Sequence, residues 1–411
     1  MKKLVGGFAF FFLCIQFMLL EKVKVYANGK QNDYPIVLVH GLGGWGKDEM
    51  LGYKYWGGFL DIERDLNKRG YQTFTATVGP VSSNWDRAIE LYYYIKGGTV
   101  DYGAAHAKEH GHDRYGATYE GIYPEWNEQN KLHFIGHSMG GQTSRALTEL
   151  LKNGSEKERA YAKQHPNEKI SPLFEGGKDY VHSITSLATP HNGSTFANNA
   201  DQSLTFIKNF LLHTASAASN ANVKNPVYDF KLDHWGIEQR EGENFKEYMD
   251  RLLASPIWES KDISLYDLTT YGADELNRWV STHPDVYHFS YTGDATYRVP
   301  VSGTFLPLPS MNPLLYVSGT YIGSYNAGAL DHRWWENDGV VSVVSSQYPF
   351  GHKQEPYDGQ VEAGEWNYFP TQERWDHLDF VGMNPSDTFG FSDIYGFYHT
   401  IAKKLYELPR G

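Results

Sequence analysis

The chain predicts an α/β fold, a mostly parallel central sheet with helices on both faces. Two observations carry this. Short β-branched apolar runs alternate with helix-like segments, the pattern of repeated βαβ units. Several of the runs end in glycine-rich turns, as buried strands do before a loop or helix. Size agrees: 411 residues, 41% hydrophobic and 15% aromatic, suffice for one large domain with a sizeable core.

The elements follow in chain order. Residues 1–30 read "MKKLVGGFAFFFLCIQFMLLEKVKVYANGK". Lys2 and Lys3 form a positive start, Leu4 to Leu20 an apolar stretch, and Val25-Tyr26-Ala27 offers small residues where a signal peptidase reads. This is the pattern of a secretory signal peptide over 1–27, cleaved after Ala27, with 28–411 a single extracellular domain. An uncleaved membrane anchor is the rival, and Gly6, Gly7 and Gln16 weaken it. The one cysteine, Cys14, lies inside this segment. A mature chain without thiols must draw its stability from core packing and bound metals. The net charge of -12, without long single-sign runs, disfavours nucleic acid. No motif points to a protein partner.

"YPIVLVHGLGGWG" is a buried strand with its glycine loop, and "YQTFTATV" (71–78) a second strand. "KLHFI" (131–135) is a third, "QTSRALTELLKNG" (142–154) a helix ending at Gly154, and "VHSITSLATP" (181–190) a fourth strand. "VYHFSYTG", "TYRVPVSG" and "NDGVVSVVSS" continue the β pattern. Within 201–220, Leu204, Ile207, Phe210 and Leu211 fall at helical spacing. That segment is either a core helix or a mobile lid.

"GHSMG" (136–140) carries the chemistry. A G-x-S-x-G match arises easily by chance in a glycine-rich chain, but this one follows a strand and opens a helix, as a nucleophile elbow requires. The turn is tight enough to favour glycine at its flanks. It lifts the Ser138 hydroxyl clear of the backbone, and the helix N-terminus behind it stabilises developing negative charge. A serine hydroxyl needs a base, and α/β-hydrolases supply partners in the order Ser, Asp, His. Downstream, Asp338 in "WWENDGVVSVVS" and His377 in "RWDHLDFVG" fit, with Asp331, His352 and His399 as rivals. An oxyanion hole needs two backbone N–H groups. Met139, just after the serine, and Leu42, in "HGLGGW", are the candidates.

These phrases together resemble the secreted bacterial true lipases of the staphylococcal and thermostable bacillary group. "PIVLVHGLGGWG", "YKYWGG", "GPVSSNWDRAIELYYYIKGGTVDYGAAHAKEHGHDRYG", "GHSMGGQTSRAL", "SPLFEGG", "ATPHNGS", "VYDFKLDHWG", "ENDGVVSVVS" and "DHLDFVG" carry the likeness from about residue 35 to 385. It implies an α/β-hydrolase that cleaves triacylglycerol esters at an oil–water interface, with Ser138, Asp338 and His377 as triad and Leu42 and Met139 as oxyanion hole. A carboxylesterase or phospholipase A1 is the nearest rival, and a catalytically silent lipid-binding protein of the same fold is the alternative from another class. The resemblance tips residues about 195–225 towards a lid over an apolar acyl cleft. It also implies a zinc-binding insertion at about 80–115, with Asp86, His106, His112 and Asp262 as ligands. Without the family, the histidines of "AAHAKEHGH" read as readily as a solvated loop, and His110 is not separable from its neighbours. A calcium site is implied near His377, from Asp379, Asn384, the Pro385 and Ser310 carbonyls and Asp376. Asn384 stands where the family usually has Asp, and Ser310 where Gly is common. One charge fewer weakens a calcium site.

Overall fold

The strands are, in chain order, Ile36–Val39 (β1), Thr73–Ala76 (β2), Gly98–Asp101 (β3), Tyr115–Tyr119 (β4), Leu132–His137 (β5), Val181–Leu187 (β6) and Tyr287–Tyr291 (β7), of which β3 and β4 were not expected. Gly293–Asp294 (β8), Thr296–Arg298 (β9), Phe305–Pro307 (β10), Gln354–Pro356 (β11), Trp366–Tyr368 (β12) and Gln372–Glu373 (β13) complete them. This computed structural model describes residues 31–218, 228–383 and 393–411. The segment read as a signal peptide therefore lies outside the described residues, as do Asn384, Pro385 and positions 219–220 of the helical stretch. No helix among the described residues is long and apolar enough to cross a membrane.

Seven strands form one parallel sheet in the order β11-β12-β7-β6-β5-β1-β2. β1, β5 and β6 are buried along their whole length, which is why they read as near-continuous apolar runs. Side chains alternate between faces. Ile36 and Leu38 join a core with Leu66, Ile401 and Leu405, while Val37 and Val39 join a second core with Ile89, Leu147 and Leu150. The sheet is thus covered on both faces, by the helices Ile62–Lys68 and Ile394–Glu407 on one and Asn84–Lys96 and Met139–Asn153 on the other.

One predicted segment differs. "NDGVVSVVSS" forms no strand: an isolated bridge pairs Asn337 with Ser342, and Val343–Gln347 is a short helix. The Asp338 carboxylate accepts the Val340 and Val341 amides at 2.9 and 2.7 Å, and these local bonds occupy donors that a ladder would need. The far sheet edge comes instead from "QEP" and "WNY", three residues each and too short for periodicity to mark them.

Chain order reverses about β1, which has β2 on one side and β5 on the other. In open parallel sheets such a switch point leaves a crevice at the carboxyl ends of the strands. The loop after β1 and the turn after β5 therefore meet there. Their approach is close. A Cβ on Gly140 would lie 2.0 Å from the Val39 carbonyl oxygen and 2.8 Å from that of His40. Gly140→Ala is accordingly expected to destabilise the fold by at least about 2 kcal/mol, since added volume meets backbone that cannot move aside. A lowered urea midpoint at unchanged m-value is the measurement.

Candidate active site

Ser138 sits between β5 and the helix Met139–Asn153 with φ 55° and ψ −130°. A non-glycine residue in this region carries about 1–3 kcal/mol of strain, held in place by its surroundings. The Ser138 N–H donates to the Leu187 carbonyl at 2.8 Å, fixing the turn to β6. A Cβ on Gly136 would meet the Gly140 carbonyl carbon at 2.5 Å, so the strand and helix flanking Ser138 touch backbone to backbone.

His377 lies in the loop before a single turn of 3-10 helix, Asp379–Val381. Its Nδ1 lies 2.8 Å from Asp338 Oδ2, and its backbone N–H donates to the Asp338 carbonyl at 2.9 Å. Asp338 is 1% exposed, and its other oxygen accepts the Val340 and Val341 amides. An acceptor-only carboxylate facing Nδ1 makes that nitrogen the donor, leaving the Nε2 lone pair free. Ser138 and His377 both line one cleft, although no hydrogen bond between them forms among the described residues. Resting sites commonly hold this pair slightly open.

Met139 opens its helix, so its N–H has no acceptor within it. The loop after β1 is fixed around Leu42: Gly41 N–H donates to the Tyr55 hydroxyl at 2.9 Å and Gly43 N–H to the Pro80 carbonyl at 2.8 Å. The Leu42 N–H between them has no partner among the described residues. Behind the loop, buried Arg87 donates to the Gly79 carbonyl at 2.8 Å, to Thr143 Oγ1 at 2.9 Å and to the His40 carbonyl.

The cleft holds about 860 Å³, counted out to its open mouth. Leu42, Leu265, Leu315 and Val341 line its walls, and Phe206, Ile207 and Phe210 of the helix Ala200–Ala218 close over it. Ile207 and Phe210 were expected from the helical stripe. Leu204 is half-buried and does not line the cleft, Phe206 does so in its place, and the side chain of Leu211 lies outside the described residues. The rivals stand elsewhere. Asp331 is exposed against Arg333, His352 bonds Thr282 and the Asn277 carbonyl, and the His399 ring packs on Tyr71.

A second constellation joins four side chains that the sequence separates. Ligand atoms of Asp86, His106, His112 and Asp262 lie within 4.8 Å of one another. His106 Nε2 is 3.4 Å from Asp86 Oδ1 and 3.1 Å from Asp262 Oδ2, and His112 Nε2 is 3.2 Å from Asp262 Oδ2. A tetrahedral ion bound at about 2.0–2.1 Å separates its ligand atoms by about 3.3 Å, so the spacing fits. The buried Asp86 Oδ1 and His112 Nε2 also have no hydrogen-bond partner among the described residues. Burial raises both carboxyls, but the neighbouring imidazoles outweigh it and hold Asp86 and Asp262 below the usual range. Burial works equally against a charged His106, yet the two carboxylates raise it to about 9. The site stabilises positive charge.

The supports of this group were not foreseen. His234 Nε2 reaches Asp86 Oδ2 at 3.1 Å, and Trp85 stacks on His106 with centroids 4.9 Å apart. Glu158 caps the His106 helix, accepting the Ala105 and His106 amides at 3.1 and 2.8 Å. The "KLDHWG" phrase was the only available signal for His234. His110 touches the His106 ring but is not part of the group.

Of the residues linked to calcium, Asp376 and Asp379 are adjacent: the Asp379 carboxylate accepts the Asp376 N–H at 2.7 Å. Burial beside Asp338 pushes the Asp376 carboxyl up to about 6. The Ser310 segment reaches the same place, since Asn312 N–H donates to Asp376 at 2.6 Å.

Known proteins share this fold. Residues 32–409 match the family described as "Lipase-like, C-terminal domain". Lipase 1 of Staphylococcus aureus strain MRSA252 is 43% identical over 389 residues, covering 93% of this chain and 56% of the relative. The chain therefore spans little more than half the length of that curated relative. Two solved structures superpose closely. EstA from Clostridium botulinum gives a TM-score of 0.85 at 46% identity over 95% of this chain and 91% of that one. Staphylococcus hyicus lipase gives 0.80 at 41% identity over 92% and 97%. With the family model spanning nearly the whole described chain, this protein belongs to the lipase-like, C-terminal domain family.

Proposed function

We propose that this chain is a secreted triacylglycerol lipase acting through Ser138, His377 and Asp338. The observation that carries the reading is His377, held by Asp338, sharing an apolar cleft with a serine on a strained strand–helix turn. In the reaction, His377 Nε2 takes the Ser138 proton as the hydroxyl attacks the ester carbonyl. Asp338 holds the imidazole in the correct tautomer and stabilises its charge. The Leu42 and Met139 amides receive the oxyanion in a site of low polarity, where such bonds are strongest. His377 then protonates the leaving alcohol, and water releases the acyl group. The helix Ala200–Ala218 acts as the lid, since its apolar side chains roof the cleft and gain by meeting lipid when it moves. The positive start and apolar stretch of residues 1–27 support export of the chain.

Asp86, His106, His112 and Asp262 would hold zinc. Two imidazoles and two carboxylates suit that ion, and four protein ligands leave no open position, so its role is structural. Calcium would lie by Asp376 and Asp379, where it would relieve the cost of a buried carboxylate beside Asp338. The Ser310 carbonyl is a further proposed ligand, and Asn384 and Pro385, the remaining two, lie outside the described residues.

Ser138→Ala should lower ester hydrolysis by about 10⁶-fold, and Asp338→Asn by about 10⁴-fold through the wrong imidazole tautomer. Initial rates on tributyrin, triolein and phosphatidylcholine check both variants and separate a lipase from a phospholipase. Replacing Phe206 and Ile207 by Ser should depress triolein hydrolysis at least tenfold more than that of a soluble short ester. Equal loss on both substrates would make the segment an ordinary core helix. Purified protein should carry about one equivalent of zinc, and His112→Ala should lose it together with several degrees of melting temperature. Elemental analysis reads the first and scanning calorimetry the second.

A further inference from the structure

One line of hydrogen bonds crosses three loops of the site. Gly41 N–H donates to the Tyr55 hydroxyl at 2.9 Å, that hydroxyl lies 2.7 Å from His137 Nδ1, and His137 Nε2 lies 2.9 Å from the His377 carbonyl oxygen. Every direction is forced. A carbonyl only accepts, so His137 carries its proton on Nε2. Nδ1 must then accept, and the Tyr55 O–H is its donor. The Tyr55 oxygen is left to receive the Gly41 amide. Only a neutral His137 fits, and burial keeps its pKa well below the ordinary value. Tyr55 and His137 are 4% and 1% exposed.

The ends of this line are the reacting parts. Gly41 precedes Leu42, His137 precedes Ser138, and the carbonyl belongs to His377 itself. The contact leaves no slack: a Cβ on Gly41 would stand 2.6 Å from Ser138 Cβ and 3.1 Å from the Tyr55 hydroxyl. Asp338 grips His377 from one side, and His137 grips its backbone from the other.

We infer that Tyr55 and His137 are positioning residues, setting the distance between the oxyanion amides, Ser138 and His377; this rests on the serine mechanism proposed above. Both border the cleft, but their polar atoms are spent on the line and not on substrate. A displacement of about 1 Å among reacting groups costs about 10²-fold in rate. Losing the line therefore acts on kcat and leaves ground-state binding alone.

The test uses the full chain and p-nitrophenyl butyrate. Tyr55→Phe removes the link with little change in volume. It should lower kcat about 10- to 100-fold, leave KM within about twofold, and move the downfield proton resonance of His377 Nδ1–H. Gln can donate to the His377 carbonyl as the imidazole does and Leu cannot, so His137→Gln should be at least tenfold more active than His137→Leu. Adding Tyr55→Phe to His137→Leu should cost nothing further, since the line is already broken. Wild-type kcat and an unmoved resonance in Tyr55→Phe would overturn the inference, as would a change confined to KM or equal rates for the two His137 variants. Ser138→Ala, with a serine-directed phosphonate label, is the control. An active Ser138→Ala sinks the mechanism itself, whereas an inactive one beside an unaffected Tyr55→Phe sinks only the positioning role.

Discussion

The closest constraint in the molecule is the contact between the end of β1 and the first turn of the helix after β5. There Gly140 packs directly on the Val39 and His40 carbonyls, where no side chain fits. Without that contact the two loops at the switch point would stand a side chain apart. The amides of Leu42 and Met139, proposed as the oxyanion hole, lie in these two loops. The strained backbone of Ser138 depends on the same contact, because a residue with φ 55° persists only where its neighbours leave no alternative.

The candidate metal-binding group is joined to this contact by one helix. Asn84–Lys96 carries Asp86 towards the four-residue cluster, and its next residue, Arg87, towards the His40 carbonyl and Thr143. A buried guanidinium with several acceptors is a rigid tie, since each lost bond would strand a charge or a carbonyl away from water. Asp86 does not line the cleft, yet its helix braces the loop that holds the proposed Leu42 amide. A metal bound there would add its binding free energy to a domain with no cysteine among its described residues.

Polarity is divided with the same economy. Tyr55, His137 and His377 form a hydrogen-bonded floor backed by Asp338, while the roof and walls are mostly aliphatic and aromatic. An apolar cavity over a preorganised polar floor suits an ester with a long hydrocarbon tail. It also strengthens any bond to a developing oxyanion, because water is excluded.

The parallel sheet, the elbow serine and the order of its proposed partners were legible in the sequence because each rests on local rules. Apolar runs mark strands buried on both faces, paired glycines mark a tight turn, and a helix start follows directly. Chain order narrowed the Asp and His partners without choosing among them, since Asp331, His352 and His399 obey the same order in one dimension, and the family resemblance favoured Asp338 and His377. The tertiary structure supplies the physical reason, bringing Asp338 to 2.8 Å from His377 and leaving the rivals elsewhere. The metal group was legible only through a family resemblance, and His234 and Glu158 not at all. Asp262 is 156 positions from His106, and no local periodicity encodes a contact across that distance. The Tyr55–His137 line was equally hidden, because 82 residues separate its members and a buried hydrogen bond leaves no pattern in composition. What a chain writes locally is secondary structure and turn chemistry. Which distant side chains meet is decided by how the sheet orders its strands and how closely their ends can pack.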